Sequence, residues 1–573
     1  MRFNSHIRAS KVSIVLLVLA VLISSPLLAG CASQANVPGA PAPESTIAPQ
    51  VPTKTDLQPT GTPSPAAAPI TLKVGTTRQI KSSNPVSDYW YGVLGGFLTQ
   101  ESLVRIDPKL GIKPGLAEKW EVSDQATVWR FYITRKAKWH DGRSVTADDV
   151  KFNLEYRLAK DPQSAWMKNV LKSVDIEGDA VVLRLSKPYS SLLVEFDTYR
   201  VLPKHVWEKV DDPLKYTGED ATLGCGPYQV DKIDLSAGAI AFKANPDYFE
   251  GKPAVDRVEF SIFRNVDAMA MALSKGEIDV TWDYSASLPY TSVPPLMKSS
   301  GVEFATEVDM GVPVALGFNV KQGPASNRLF REAVSYAVDY AKLAELVFVG
   351  YGRAPTAAFV PPSMPNHDAS LRPLKQDLKK AGELLDSIGL KDVNGDGVRE
   401  NAQGGKLELT VLSRTDSDVI ARSAELVQGY LKAVGLACNL RALDTATWTS
   451  TKDKMEYDLV LFRTTPWGMM MHASYASGYF DSRRSGAGVL HNVDDPAYLA
   501  LCDQILRTTD ETENRVLQTK LQEYYATELP AIALAWADNV YPYNSKWKGW
   551  QLDIVHGGPV NRYSLFTVKP TAP

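Results

Sequence analysis

The sequence predicts an α/β fold. Residues 407–412 alternate apolar and polar side chains as a strand does, and residues 419–434 place apolar side chains at helical spacing and stop at Gly435. Residues 437–443 and 457–462 again read as strands. Strand, helix and strand in succession lay helices over the faces of a sheet. In open sheets of this kind ligands gather just past the carboxyl ends of strands, so the stretch after Phe462 is the first place to look for a site.

The 573 residues exceed what one hydrophobic core organises, and at roughly 100–200 residues per domain they make two to four units. A hydrophobic share of 44% with 22% charged residues is ordinary for a globular chain and too polar for a multi-span membrane protein. Lys plus Arg (62) nearly cancels Asp plus Glu (65), and no Lys/Arg block forms a basic face, so no nucleic-acid partner is expected. Twelve Trp and 24 Tyr supply flat, amphipathic side chains suited to a recognition cleft. Four Cys are too few for a disulfide-built scaffold.

From the N-terminus, Arg2, Arg8 and Lys11 precede an uncharged apolar run over residues 12–23 and then small residues, the pattern of a secretory signal. The run is shorter than the ~20 residues of a membrane span. Leu28-Ala29-Gly30-Cys31 resembles the lipobox of bacterial lipoproteins. That resemblance implies a signal peptide at 1–30, diacylglycerol on the Cys31 thiol, and a protein held by lipid on the outer face of the cytoplasmic membrane. Residues 32–69 carry nine prolines and no aromatic residue, too little apolar surface to offset ordering. Residues 31–69 therefore read as lipid anchor and disordered tether, reaching roughly 120 Å when extended. Ordered sequence begins with the alternating strand pattern at residue 70.

Phrases spread over residues 71–570 resemble the solute-binding proteins of ABC importers, family 5, the class that takes peptides, nickel complexes and other solutes. They are Leu116-Ala117-Glu118-Lys119-Trp120; Trp139-His140-Asp141-Gly142 running to Asp148-Asp149-Val150; Gly224-Cys225-Gly226-Pro227-Tyr228; Asn245-Pro246-Asp247-Tyr248-Phe249; Lys275-Gly276-Glu277-Ile278-Asp279; and Gly317-Phe318-Asn319 with Arg331-Glu332-Ala333. The resemblance implies a type II, cluster C-like periplasmic-binding-protein fold, two lobes with a ligand cleft plus an inserted extra domain. The expected division is domain I at 70–107, 222–308 and 546–573, domain II at 108–221, and domain III at 309–545.

Most of these phrases read as structural. His140 beside Asp141-Gly142 fits a turn at a strand end better than a catalytic loop. The chain lacks His-Glu-x-x-His, Gly-x-Ser-x-Gly and the phosphate-loop motif, so the rival expectation, a tethered surface hydrolase, has no motif behind it. Asp392, Asn394 and Asp396 open a calcium-loop pattern, but the twelfth position is Gln403 where a bidentate Glu belongs, with Glu400 a partial substitute. The alternatives are a structural calcium and a polar turn after a helix at 379–388. Apart from this, no cofactor is expected. Cys225, Cys438 and Cys502 leave at least one thiol unpaired, and their spacing chooses no disulfide.

The most individual stretch is residues 463–475, Arg-Thr-Thr-Pro-Trp-Gly-Met-Met-Met-His-Ala-Ser-Tyr. In the family this loop lines the cleft, and a Trp-Gly pair is typical there. Peptide binders often place an Asp nearby, which 463–475 lacks. The residues expected to touch solute are Tyr89, Trp90, Arg463, Trp467, Met470, His472 and Tyr475, with core packing as the alternative for the aromatic and Met side chains. The expected function is solute capture without covalent chemistry by a monomer that hands its ligand to ABC permease subunits. A peptide is the first expectation and a nickel chelate completed by His472, with His491 nearby in sequence, the second. A sensor role would use the same cleft with a different partner.

Overall fold

A computed structural model describes residues 68–283, 288–309, 311–364, 366–401, 403–464, 480–483, 490, 492–553, 555–556 and 558–571. The chain divides into a unit at 1–66 and a body at 67–573. Cys31 and the tether expected at 31–69 lie outside the described residues up to residue 67. No described helix is long and apolar enough to cross a membrane.

Three sheets organise the body. The first has seven strands in the order Val302–Glu307, Asn539–Asn544, Val280–Thr281, Thr71–Thr76, Arg257–Ile262, Ala239–Ala244 and Tyr228–Asp234. Thr71–Thr76 runs parallel to both neighbours, with Gly75 opposite Thr281 and Thr76 opposite Ile262. The second sheet is antiparallel, built from Ala117–Ser123, Val128–Ile133, Ala180–Leu185 and Leu171–Glu177. The third has six strands in the order Gly352–Arg353, Ala531–Ala537, Val312–Phe318, Leu459–Thr464, Glu408–Arg414 and Ala437–Leu443.

The third sheet is covered on both faces, which explains its near-continuous apolar strands. Leu459 and Leu461 enter one core with Val314, Leu316, Leu409 and Ile532; Val460 and Phe462 enter the other with Val312, Ala315 and Ala533. Burying a side chain of this size stabilises by about 1.5–3 kcal/mol. Helix Asp418–Ala433, started by Ser417 accepting the Ile420 N–H, buries Ile420, Ala424, Val427 and Leu431 on one of those faces.

Among the described residues the first sheet passes to the third after Glu307 and returns at Asp538, and Asp309 lies beside Asp538. The Asp309 N–H donates to Asp538 Oδ1 at 3.0 Å, and Arg353 contacts both carboxylates. Asn539–Asn544 pairs along its whole length with Val302–Glu307. The return to the first sheet therefore begins at 539, seven residues before the expected start of the last part of domain I at 546. The apolar pattern hides this crossing because both sheets bury the strands that flank it.

Cys225, Cys438 and Cys502 are free thiols, so none pairs with another. They sit in separate places: after the second sheet, on the outermost strand of the third, and in helix Pro496–Arg507. Burial pushes the Cys438 and Cys502 thiols up to about 12.

Candidate functional site

Parallel pairing sets the site. Thr71–Thr76 and Val280–Thr281 end together, so the chain just past each, at Arg78 and Asp283, meets in an ion pair. In the third sheet Glu408–Arg414 and Leu459–Thr464 are also parallel, with Leu412 opposite Val460, so Arg414 and Arg463 emerge at one end. Arg414 is held by Asp416, its Nε 2.8 Å from Oδ1, and Thr445 donates to the other Asp416 oxygen at 2.8 Å. Arg414, its hydrogen bond first, holds the Asp416 carboxyl down to about 2.

Arg463 stands at this same end with a largely buried guanidinium. Among the described residues no hydrogen bond or ion pair holds its guanidinium. Burial and then the Arg78 charge press its pKa down, while Asp283 opposes them. Burial raises the Asp283 carboxyl against the pull of Arg78 and Arg463.

Helix Tyr89–Phe97 supplies the facing wall. Asp88 caps it by accepting the Tyr91 N–H at 2.9 Å, and its second oxygen takes the N–H groups of Lys81 and Ser82, which folds the preceding loop onto the helix start. The Tyr89 ring is 53% exposed and meets Trp90 edge to face at 5.0 Å. Arg78 lies over the Trp90 ring at 4.3 Å. Burial raises the Tyr89 hydroxyl, and Arg463 and Arg78 both draw it back, so the first and third sheets meet electrostatically at this tyrosine.

Tyr89 also borders a cavity of about 360 Å³ between this helix, the second-sheet domain and the C-terminal segment. Phe97, Trp282 and Tyr199 give it apolar faces, and Arg200 gives it a cation. Arg200 Nη1 donates to Ser102 Oγ at 3.0 Å, and the bare backbone at Gly96 makes room for the guanidinium. The volume and the aromatic faces set among charged groups suit a small polar ligand.

Of the residues expected to touch solute, Tyr89, Trp90 and Arg463 are thus brought together. Trp467, Met470, His472, Tyr475 and His491 lie outside the described residues. The structure adds Arg78, Asp283, Trp282 and Arg200. The first three sit just past strand ends, and Arg200 is the lone base between apolar Phe196 and Leu202.

Two motifs resolve as structure. His140 Nδ1 accepts the Gly224 N–H at 3.3 Å and its Nε2 meets the Gly226 carbonyl at 3.1 Å, while burial pushes its pKa down to about 4. It pins the Gly224–Gly226 crossing. In the loop at 392–400 the carboxylates of Asp392, Asp396 and Glu400 cluster within 4.8 Å. Their oxygens accept the loop's own N–H groups: Gly395 and Gly397 on Asp392, Val398 on Asp396, Val393 on Glu400, with the Asn394 amide also on Glu400.

Comparison with known proteins matches this fold. The oligopeptide-binding protein AppA of Bacillus subtilis (strain 168) is 28% identical over 369 residues, covering 62% of this chain and 64% of that protein. The chain therefore spans a little under two thirds of that relative's length. The nickel-binding periplasmic protein of Escherichia coli (strain K12) is 23% identical over 428 residues, covering 73% of this chain and 80% of that protein. The structure of AppA in complex with a nonapeptide superposes with a TM-score of 0.71 at 22% identity, over 88% of this chain and 100% of that one. The shared fold is the two-lobed α/β fold of type II periplasmic binding proteins. The model of bacterial extracellular solute-binding proteins, family 5 (middle), matches residues 111–486, about two thirds of the sequence, and the chain belongs to that family.

Proposed function

We propose that this protein captures a small solute and delivers it to the permease of an ABC importer, acting as a monomer tethered through lipid on Cys31. The observation that carries the reading is the aromatic cavity lined by Tyr89 and Arg200, with Tyr89 also in the field of Arg78 and Arg463. Such a site holds a ligand by burying its apolar surface and matching its charges. The ligand contacts proposed are Tyr89, Trp90 and Arg463 with Trp467, Met470, His472 and Tyr475 from the following loop. Domains I, II and III correspond in this reading to the first, second and third sheets.

A peptide is the first ligand. It presents a carboxylate for the arginines and an ammonium for Asp283, and relatives named for oligopeptide binding support it. The second reading, a nickel chelate, is favoured by Met469-Met470-Met471-His472 in place of an acid and by the nickel-binding relative. Native mass spectrometry of gently purified protein identifies a retained solute. Titration with a mixed peptide library, with Ni²⁺ alone and with Ni²⁺ plus free histidine then separates the two. Saturable peptide binding unaffected by His472→Ala or by metal removal supports the first. Binding only of the metal–histidine mixture, lost in His472→Ala, supports the second. Failure of every probe overturns both.

A further inference from the structure

The cavity wall contains a histidine held between two carboxylates from different parts of the chain. His556 Nδ1 lies 2.8 Å from Asp553 Oδ2, and its Nε2 lies 2.9 Å from Asp197 Oδ2. All three residues line the cavity. A neutral imidazole has one N–H, so one of these contacts would set lone pair against lone pair, whereas an imidazolium donates to both. Burial pushes the ring's pKa down, and the Asp553 and Asp197 carboxylates more than reverse it, to about 10. Arg200, Tyr563 and Glu307 are the other titratable groups that interact with those two carboxylates.

Asp197 does more than balance charge. It ends helix Leu192–Thr198, is 1% exposed, and accepts the Ile106 N–H at 2.8 Å through its other oxygen. Thr198, Tyr199 and Arg200 follow it along the cavity wall; Arg200 is bridged to Ser102 and its carbonyl accepts from Arg157 Nη1 at 3.1 Å, and the Val201 N–H then meets the Glu101 carbonyl at 2.8 Å. The wall at 198–200 thus starts at the anchor His556 makes on Asp197 and ends at the one Ser102 makes on Arg200.

We propose that His556 is a positioning residue for solute binding: by clamping Asp197 against Asp553 it holds the start of the 198–200 wall, and with the Ser102 contact at the other end it sets the place of the Arg200 guanidinium in the cavity. The inference rests on reading this cavity as the solute site. Without the ring, two buried carboxylates face one another with no cation between them, and the segment must shift or take up a proton.

The test uses the full chain. Nitrogen-15 histidine spectra should show both His556 ring nitrogens protonated at pH 8, a signal absent from His556→Gln. Hydrogen exchange over residues 197–202 should be faster in that variant. Affinity is read with a nonapeptide and with Ni²⁺ plus free histidine, using whichever binds the wild type. His556→Gln should weaken it about tenfold or more, and His556→Lys, which keeps a donating cation, should recover most of the loss. A neutral His556 at pH 8, or wild-type exchange and affinity in a folded His556→Gln, overturns the proposal. Should His556→Gln not fold, the wild-type spectra and the Lys variant decide it. Failure of the wild type to bind either probe counts against the solute reading, while the spectra and exchange still decide the clamp.

Discussion

A β-carbon on residue 96 would lie 2.8 Å from Nε of Arg200, so Gly96 and the Arg200 guanidinium share one small space across the cavity wall. Gly96→Ala should therefore push the guanidinium aside, because a side-chain tip can yield where backbone cannot. Ala is also the better helix former by about 1 kcal/mol, so the unfolding midpoint should hold or rise. Solute affinity should fall several-fold in a calorimetric titration. Unchanged affinity would remove Arg200 from the site.

Gly224 presents the opposite case. Its β-carbon would fall 1.8 Å from the Thr99 carbonyl oxygen, which is backbone. Gly224→Ala should cost at least the 1–3 kcal/mol, roughly, of an overpacked core, and should also disturb the His140 ring that accepts the Gly224 N–H. Denaturant titration checks this; a midpoint at the wild-type value would show that the crossing can relax.

Glu307 should make stability fall with rising pH. Burial raises its pKa to about 7, with the Asp553 charge adding to the rise and the Gly558 N–H opposing it. The folded state then holds a proton that the unfolded chain releases near its ordinary value of 4.5. Its contribution is full below about 4.5 and is lost as pH climbs through about 7, on the order of 3 kcal/mol in all. Glu307→Gln keeps an acceptor for Gly558 and should flatten this dependence. Chemical denaturation at pH 5 and pH 8 measures it; equal slopes in both proteins would refute it.

Arg463→Gln should separate stability from binding. The wild-type cation is disfavoured by burial and by Arg78, so the ligand-free variant should unfold at the same denaturant concentration or higher. Affinity for a carboxylate-bearing solute should drop. A destabilised variant with full affinity would make Arg463 structural.

Cys31→Ser should leave an unlipidated precursor, while the wild type partitions into detergent with a mass increase on residue 31. A wild-type chain released without modification would end the lipid-anchor reading.

Much of the fold was legible because buried two-sided strands write long apolar runs. The helix at 419–434 and the strand at 437–443 lie within a residue of their observed bounds. The strands that carry the site were less so: the expected 457–462 is Leu459–Thr464, because its last two residues, Arg463 and Thr464, are polar where the pattern asks for apolar. Function and periodicity disagree at strand ends, and the site sits there. Arg200, Asp283 and His556 were illegible for another reason. Arg200 and His556 are brought to the cavity, and Asp283 to Arg78, by distant parts of the chain meeting; the partners Asp197 and His556 are 359 residues apart in sequence.

The edge strand Val302–Glu307 joins the first sheet only through Asn539–Asn544. A chain read from its N-terminus must complete the whole third sheet before that bond row can form, and the buried Arg562–Glu101 ion pair comes later still. Until the last tenth of the polypeptide arrives, Val302–Glu307 has no partner and Val280–Thr281 presents an open edge, the kind of surface that recruits wrong strands. Folding is thereby tied to completion of synthesis, since late, distant pairing is also slow pairing. Truncated chains of this protein should remain recognisable as unfinished, with an unclosed sheet for proteases to find.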